Sequence, residues 1–361
     1  MAQAIRLAGQ GIYSTHPNPS VGCVIVAQGA VVGCGWHQRA GGPHAEIHAL
    51  GEAGGKARNA DVFLTMEPCS HHGRTPPCAD ALVDAGVRRV VVAMQDPNPL
   101  VAGRGLERLR EAGIEVETGL LKDQARAMNP GFVSRMQRGQ PWVRLKLASS
   151  LDGRSAMASG ESQWITGDAA RRDVQRLRAR SSAIVTGIGT VLADDPSMNV
   201  RLEAQQLKGV EPVRQPLRVV MDTRLTMPEQ AKMLLLPGDT LLVTGVQDRS
   251  RWQALQQAGA EVVAIPAGQG QLEPEAVLNL LAEREINEVL LECGARLAGA
   301  FLSAELVDEL VLYIAPHLMG DSARGLFHLP GLERMRDRIA LEWLDVRQVG
   351  DALRITARPC Y

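Results

Sequence analysis

The sequence is short of several things, and each shortage closes off a class of protein. Aromatic residues are 3% of 361, too few for a stacking platform that holds bases along a strand. Neither sign of charge dominates: 39 Lys and Arg face 40 Asp and Glu, a formal net charge of −1. Holding nucleic acid by bulk charge needs a basic surface, so nucleic acid is not an expected partner. No apolar run approaches the roughly 18–20 residues that a membrane-spanning helix requires, so no membrane partner is expected either. The opening Met1-Ala2-Gln3-Ala4-Ile5-Arg6 lacks a secretion signal's order of charge, apolar core and small cleavage site. A cytoplasmic location is therefore expected. Six cysteines are too few to staple a chain of this length with disulfides.

What is present is unevenly placed. Six of the eight histidines (16, 37, 44, 48, 71 and 72) lie in the first 72 residues, with three of the cysteines. Soft metal ligands are concentrated near the N-terminus. Along the whole chain, short apolar runs alternate with helical stretches. Strands are predicted at 22–27, 62–66, 89–94, 143–150, 182–187, 217–222, 240–245, 288–293 and 307–316. Most are continuously apolar, as in strands buried on both faces of a largely parallel sheet. Helix-like segments end in Ala-Gly at 85–86, 112–113 and 258–259, each Gly a C-cap before the next strand. A boundary is read at Gln137-Arg138-Gly139-Gln140-Pro141, after a charged helix-like stretch over 122–136. It gives two α/β domains, 1–139 and 140–361, each long enough for a core. Residues 203–216 read as an exposed polar loop.

The sharpest motif is Pro43-His44-Ala45-Glu46, followed by Glu67-Pro68-Cys69 and then Cys78. One His and two Cys supply three ligands, and a catalytic zinc wants three plus an open place for water. Glu46 would sit over that water and move protons, the arrangement of zinc deaminases. Zinc brings the pKa of a bound water toward roughly 7, so hydroxide is available at neutral pH. Eight residues, Ser70 to Pro77, separate the two cysteines where the usual motif has two. A structural zinc is the rival reading. It would take a fourth ligand from His48, His71 or His72, and His48 lies one helical turn from His44. Cys23 and Cys34 read as small core residues. Asn18, between two prolines, is suited to a turn.

The second half has no G-x-G-x-x-G after a strand. It has two weaker glycine-bearing turns after strands, Thr186-Gly187-Ile188-Gly189-Thr190 and Glu292-Cys293-Gly294-Ala295. Such turns expose amides to phosphate, or serve tight turning alone.

Residues 66–78, MEPCSHHGRTPPC, with 15–22, THPNPSVG, and His44-Ala45-Glu46, closely resemble the bifunctional riboflavin-biosynthesis deaminase–reductase family. The likeness continues in Lys146-Leu147-Ala148-Ser149-Ser150-Leu151-Asp152-Gly153-Arg154, in 160–166, GESQWIT, and in 192–196, LADDP. It implies a cytidine-deaminase-like three-layer domain followed by a dihydrofolate-reductase-like domain. It implies zinc-dependent deamination of 2,5-diamino-6-ribosylamino-4(3H)-pyrimidinone 5′-phosphate. NADPH reduction of 5-amino-6-(5-phosphoribosylamino)uracil to the ribitylamino product then follows.

The resemblance also implies roles. His44, Cys69 and Cys78 would hold zinc, the fourth place being left to water, with Glu46 catalytic. Asn18 would bind substrate, and His71, His72 and Arg74 would line its phosphate or ribose. Ala148, Trp164, Thr190, Thr223, Gly294, Ala295, Arg296, Leu297, Ala298, Gly299 and Ala300 match cofactor contacts. Ser162, Arg178, Asp194, Met198, Arg201 and Glu292 match substrate contacts. Arg178 and Arg201 suit a phosphate, Asp194 and Glu292 suit ribose hydroxyls, and Trp164 suits a nicotinamide face. Asp195 would cap a turn, and Arg171, Arg172 and Arg176 would form a solvated face. A homodimer through the second half is also implied. Two rival functions are a deaminase acting on a nucleobase in RNA and a structural zinc module joined to a nucleotide-sensing domain.

Overall fold

The computed structural model describes residues 1–70, 77–99, 101–268 and 270–361. The chain divides into two compact units, Met1–Gly139 and Gln140–Tyr361.

The first unit contains α1 (Ala2–Ala8), β1 (Gly22–Ala27), β2 (Ala30–Trp36), α2 (Ala45–Ala53), β3 (Asp61–Leu64), α3 (Cys78–Asp84), β4 (Arg89–Val92), α4 (Arg104–Glu111), β5 (Glu115–Thr118), α5 (Lys122–Met128) and α6 (Pro130–Arg138). Its sheet has the order β2-β1-β3-β4-β5. β1 is antiparallel to β2 and β3, while β3, β4 and β5 run parallel. This unit is therefore less parallel than the continuous apolar runs predict. β2 escaped prediction because Gly33 and Gly35 interrupt its apolar pattern. Those glycines have a structural reason. A Cβ at either would collide with the backbone carbonyl of Ala49 or Ala45, so their absence lets α2 lie directly on β2. That contact sets the height of His44 at the head of α2. The predicted helix over 122–136 is two helices, broken at Asn129-Pro130 because proline cannot continue the amide ladder.

The second unit contains β6 (Trp142–Ser150), β7 (Arg154–Ala156), α7 (Asp168–Arg180), β8 (Ala183–Gly187), α8 (Ile188–Asp194), β9 (Leu217–Met221), β10 (Thr240–Thr244), α9 (Gln253–Gln257), β11 (Ala260–Ala264), β12 (Ala267–Gly268), β13 (Gln271–Leu272), α10 (Pro274–Glu283), β14 (Glu288–Leu291), α11 (Ala295–Ser303), β15 (Glu309–Ala315), β16 (Arg324–Gly325), β17 (Ala340–Val349) and β18 (Ala352–Cys360). Nine strands form one sheet, β11-β10-β9-β8-β14-β6-β15-β18-β17, parallel from β11 to β15 and antiparallel beyond. Val143, Leu145, Val185, Val219, Val243 and Leu291 bury one face under α10 and α11. Ile184, Val220, Leu242 and Leu290 bury the other with Val174 and Leu177 of α7. The glycines read as C-caps, Gly86, Gly113 and Gly259, have φ of 67°, 80° and 97°, the left-handed region a helix exit uses. The loop at 203–216 is less exposed than its polarity suggests, since Ala204 and Leu207 are buried.

Candidate deaminase and reductase sites

In the first unit three ligand atoms converge. His44 is the N-cap of α2, Cys78 opens α3, and Cys69 follows β3. His44 Nδ1 lies 3.6 Å from Cys69 Sγ and 3.3 Å from Cys78 Sγ. All three ligand atoms lie within 4.8 Å of one another, and no fourth His, Cys, Asp or Glu joins them among the described residues. Three soft donors supply the protein ligands that a catalytic zinc requires. His48 does not join the cluster; its Nε2 is buried without a hydrogen-bond partner. His71, His72 and Arg74 lie outside the described residues.

The electrostatics suit a cation. The Cys78 side chain, the His44 ring and the Cys78 amide, 3.3 Å away, draw the Cys69 thiol down to about 4. Cys78 is correspondingly raised, keeping the shared proton. Glu46, one residue into α2, is only 3% exposed, and its carboxyl hydrogen-bonds with Cys78. Burial pushes that carboxyl up to about 7. A carboxyl near neutrality can both take and give a proton.

Asn18 stands in the turn before β1 and contacts His37, Nδ2 to Nε2 3.1 Å. The His37 ring packs edge-on against His44, centroids 5.3 Å apart. Burial lowers the pKa of His37. Cys23 is core and Cys34 half-buried, and neither joins the ligands. Sequence reasoning missed Glu67. Its buried carboxylate accepts from the amides of Asp96, Gly103 and Gly105 at 3.1, 3.0 and 2.9 Å, which ties the segment before Cys69 to the start of α4. A carboxylate beside Pro-Cys in an apolar stretch was the available signal.

In the second unit the candidate residues gather at the carboxyl ends of neighbouring strands. Gly187 ends β8, Thr223 follows β9, Glu292 follows β14, and Ala148 lies near the end of β6. α/β sheets place ligands along this edge. Gly187 and Leu297 approach closely, so the two glycine turns adjoin. A Cβ at Gly189 or Gly294 would enter open space, and α11 begins at Gly294 with no side-chain cap. The first amides of α11 are thus available to an anion, and the turns fit the phosphates of a dinucleotide. Ala298 is wholly buried in the core, and Gly299 is required because a Cβ there would collide with the His328 carbonyl. Along this stretch Gly294, Ala295, Arg296 and Leu297 are exposed or half-buried, with Ala300 exposed a turn further on.

The substrate candidates form two pairs. Ser162 Oγ donates to Asp194 Oδ1 at 3.4 Å. Arg178 forks onto Glu292, Nε to Oε1 2.6 Å and Nη2 to Oε2 2.9 Å, so its guanidinium is engaged by a carboxylate. Burial raises the Glu292 carboxyl, but Arg178, with Lys146 and Arg201, outweighs it and holds the pKa below the usual value. Lys146 went unassigned by sequence reasoning; a cation inside the apolar run of β6 was its signal. Arg201 Nη1 donates to Asn199 Oδ1 at 3.1 Å. The Met198 side chain is core, 2% exposed, so only its backbone is offered. Asp195 accepts from the Lys232 amide at 2.8 Å, a structural bond. Trp164 is 71% exposed and already carries Arg171 over one face, 4.6 Å from the ring centroid. Arg171 also donates to the Thr166 carbonyl at 2.6 Å and pairs with Asp168. The solvated-face reading of Arg171 is thereby corrected: a cation–π contact and two polar bonds hold it against the 164–168 segment.

The chain matches two protein families. Residues 1–94 match the cytidine and deoxycytidylate deaminase zinc-binding region, and residues 141–354 match the RibD C-terminal domain. The chain is 51% identical to the riboflavin biosynthesis protein RibD of Escherichia coli (strain K12), across 97% of this chain and 96% of that one. It is 47% identical to the Haemophilus influenzae protein of that name, across 99% and 96%. Among solved structures, Acinetobacter baumannii RibD superposes with a TM-score of 0.91 at 46% identity, covering 99% of this chain and 97% of that chain. The diaminohydroxyphosphoribosylaminopyrimidine deaminase/5-amino-6-(5-phosphoribosylamino)uracil reductase of Thermotoga maritima gives 0.86 at 31% identity, covering 100% and 97%.

Proposed function

We propose residue roles for a chain that belongs to the RibD family of bifunctional riboflavin-biosynthesis enzymes, a deaminase and a reductase using zinc and NADPH. The reading is carried by one observation: the convergence of His44, Cys69 and Cys78 within 4.8 Å, with Glu46 buried beside them. Residues 1–139 are the deaminase and residues 140–361 the reductase. The substrate is the diaminopyrimidinone ribosylamine 5′-phosphate, and its deaminated product is the substrate of the second half.

His44, Cys69 and Cys78 would hold the metal. Bound zinc supplies Lewis acidity, which lets water act as a nucleophile near neutral pH. Glu46 takes one proton from the attacking water and gives it to the ring nitrogen, then takes the second from the added hydroxyl and gives it to the departing amine. A C–O bond forms, the C–N bond breaks, and ammonia leaves. Asn18 hydrogen-bonds the substrate.

In the reductase half, Ala148, Trp164, Thr190, Thr223, Gly294 to Leu297 and Ala300 would hold NADPH, which supplies hydride to C1′ of the opened ribosylamino group. Asp194 and Ser162 accept and donate at the ribose, Arg201 attracts the phosphate, and Met198 contributes backbone. Arg178 keeps Glu292 ionised and fixed toward the sugar.

The partner we propose is a second copy of the chain. β17 is the edge of the nine-stranded sheet, and Leu341, Trp343, Leu344 and Val346 are exposed along it. An apolar edge strand is a pairing surface. No helix among the described residues is long and apolar enough to cross a membrane. Six free cysteines fit a reducing, cytoplasmic location.

The experiment is metal analysis with two assays on one preparation: ammonia release from the pyrimidine phosphate, and NADPH oxidation with the deaminated product. Both activities with one zinc per chain are expected. Deamination of tRNA in place of the pyrimidine phosphate would overturn the substrate assignment.

A further inference from the structure

His37 is a buried histidine that the mechanism above does not use. It follows β2, is 3% exposed, and its amide donates to the Val21 carbonyl at 2.9 Å. Both ring nitrogens are engaged. Nδ1 lies 3.1 Å from the Pro43 carbonyl, and Nε2 lies 3.1 Å from Asn18 Nδ2. The ring stands at 87° to that of His44, the residue after Pro43.

The chemistry of these partners fixes the protons. A carbonyl oxygen only accepts, so Nδ1 carries hydrogen. The atom facing Nε2 is Asn18 Nδ2, an amide NH2 that only donates, so Nε2 is the acceptor. The Oδ1 of Asn18 has no hydrogen-bond partner among the described residues.

We infer that His37 is a positioning residue: anchored by the Pro43 carbonyl, it locks the amide of Asn18 so that an oxygen, not an NH2, is offered to the substrate. The site thus reads a donor on the ligand, an N–H or O–H, at that position. A reversed amide would set NH2 against that donor. The same ring ties the Asn18 turn to the segment that delivers His44, so the substrate-reading group is registered to the metal site through one imidazole. This rests on the reading of Asn18 as a substrate contact.

The test is a double-mutant cycle in the full chain, with zinc content and ammonia release measured for each variant. Asn18→Ala is expected to raise KM for the pyrimidine phosphate. His37→Phe keeps a ring against His44 but loses both polar bonds. It is expected to raise KM by about 10- to 100-fold with zinc retained. In the Asn18→Ala background the same change is expected to cost less than about 2-fold, because its effect runs through Asn18. His37→Gln, whose amide oxygen can accept from Asn18, is expected to recover most of the loss. Equal cost of His37→Phe in both backgrounds, zinc loss in that variant, or no rescue by Gln would each overturn the inference. If Asn18→Ala alone leaves KM unchanged, the Asn18 reading fails first and the inference fails with it.

Discussion

Arg178 and Glu292, 114 residues apart in sequence, meet in a two-bond fork of 2.6 and 2.9 Å at the carboxyl end of β14. Both side chains are nearly buried, 11% and 13% exposed. The fork joins α7 to the turn that opens α11, so one ion pair fixes Glu292 beside Gly294.

Removing one partner leaves the other charged and buried. Arg178→Met is expected to destabilise the reductase unit by about 3–5 kcal/mol. Arg178→Met with Glu292→Gln should regain much of that stability without regaining turnover. Denaturant midpoints and NADPH oxidation, measured side by side, check both halves of the statement.

Asp194→Asn should damage reduction far more than NADPH binding. Its carboxylate accepts from Ser162 and belongs to the last residue of α8. Cofactor fluorescence gives affinity, and turnover is followed on the deaminated substrate. Weak NADPH binding with normal saturated turnover would move Asp194 to the cofactor.

Trp343→Asp on β17 should weaken self-association, read as mass by light scattering. Trp343 is 63% exposed in the single chain, so the change costs the monomer little. An unchanged mass would place any interface elsewhere.

Cys69→Ser should remove zinc and deamination while NADPH reduction of supplied deaminated substrate persists. Loss of both activities in a chain whose second unit remains folded would contradict two separate sites.

Much of this was legible before the structure because the motifs are local. Pro43 to Glu46 and Glu67 to Cys78 name the candidate ligands by residue type, and the apolar runs name most parallel strands. β2 was hidden because Gly33 and Gly35 answer to α2 packing above them, not to strand propensity. β17 was hidden because its apolar residues are exposed in the single chain. The pairings were harder still. That the Arg178 fork is taken by Glu292, that Arg171 lies on Trp164, and that Met198 turns inward are facts of tertiary geometry. Lys146 and Glu67 are charges inside apolar stretches, a signal that marks a buried partner without naming it.

Glu46 is proposed to move protons at a metal site it does not build. Glu46→Gln tests it in one preparation: zinc per chain, ammonia release, and NADPH oxidation with the deaminated substrate. The account predicts full zinc, intact reduction, and deamination down by at least about 10²–10⁴-fold. A Gln variant that has lost its zinc, or that still releases ammonia at the normal rate, would contradict it.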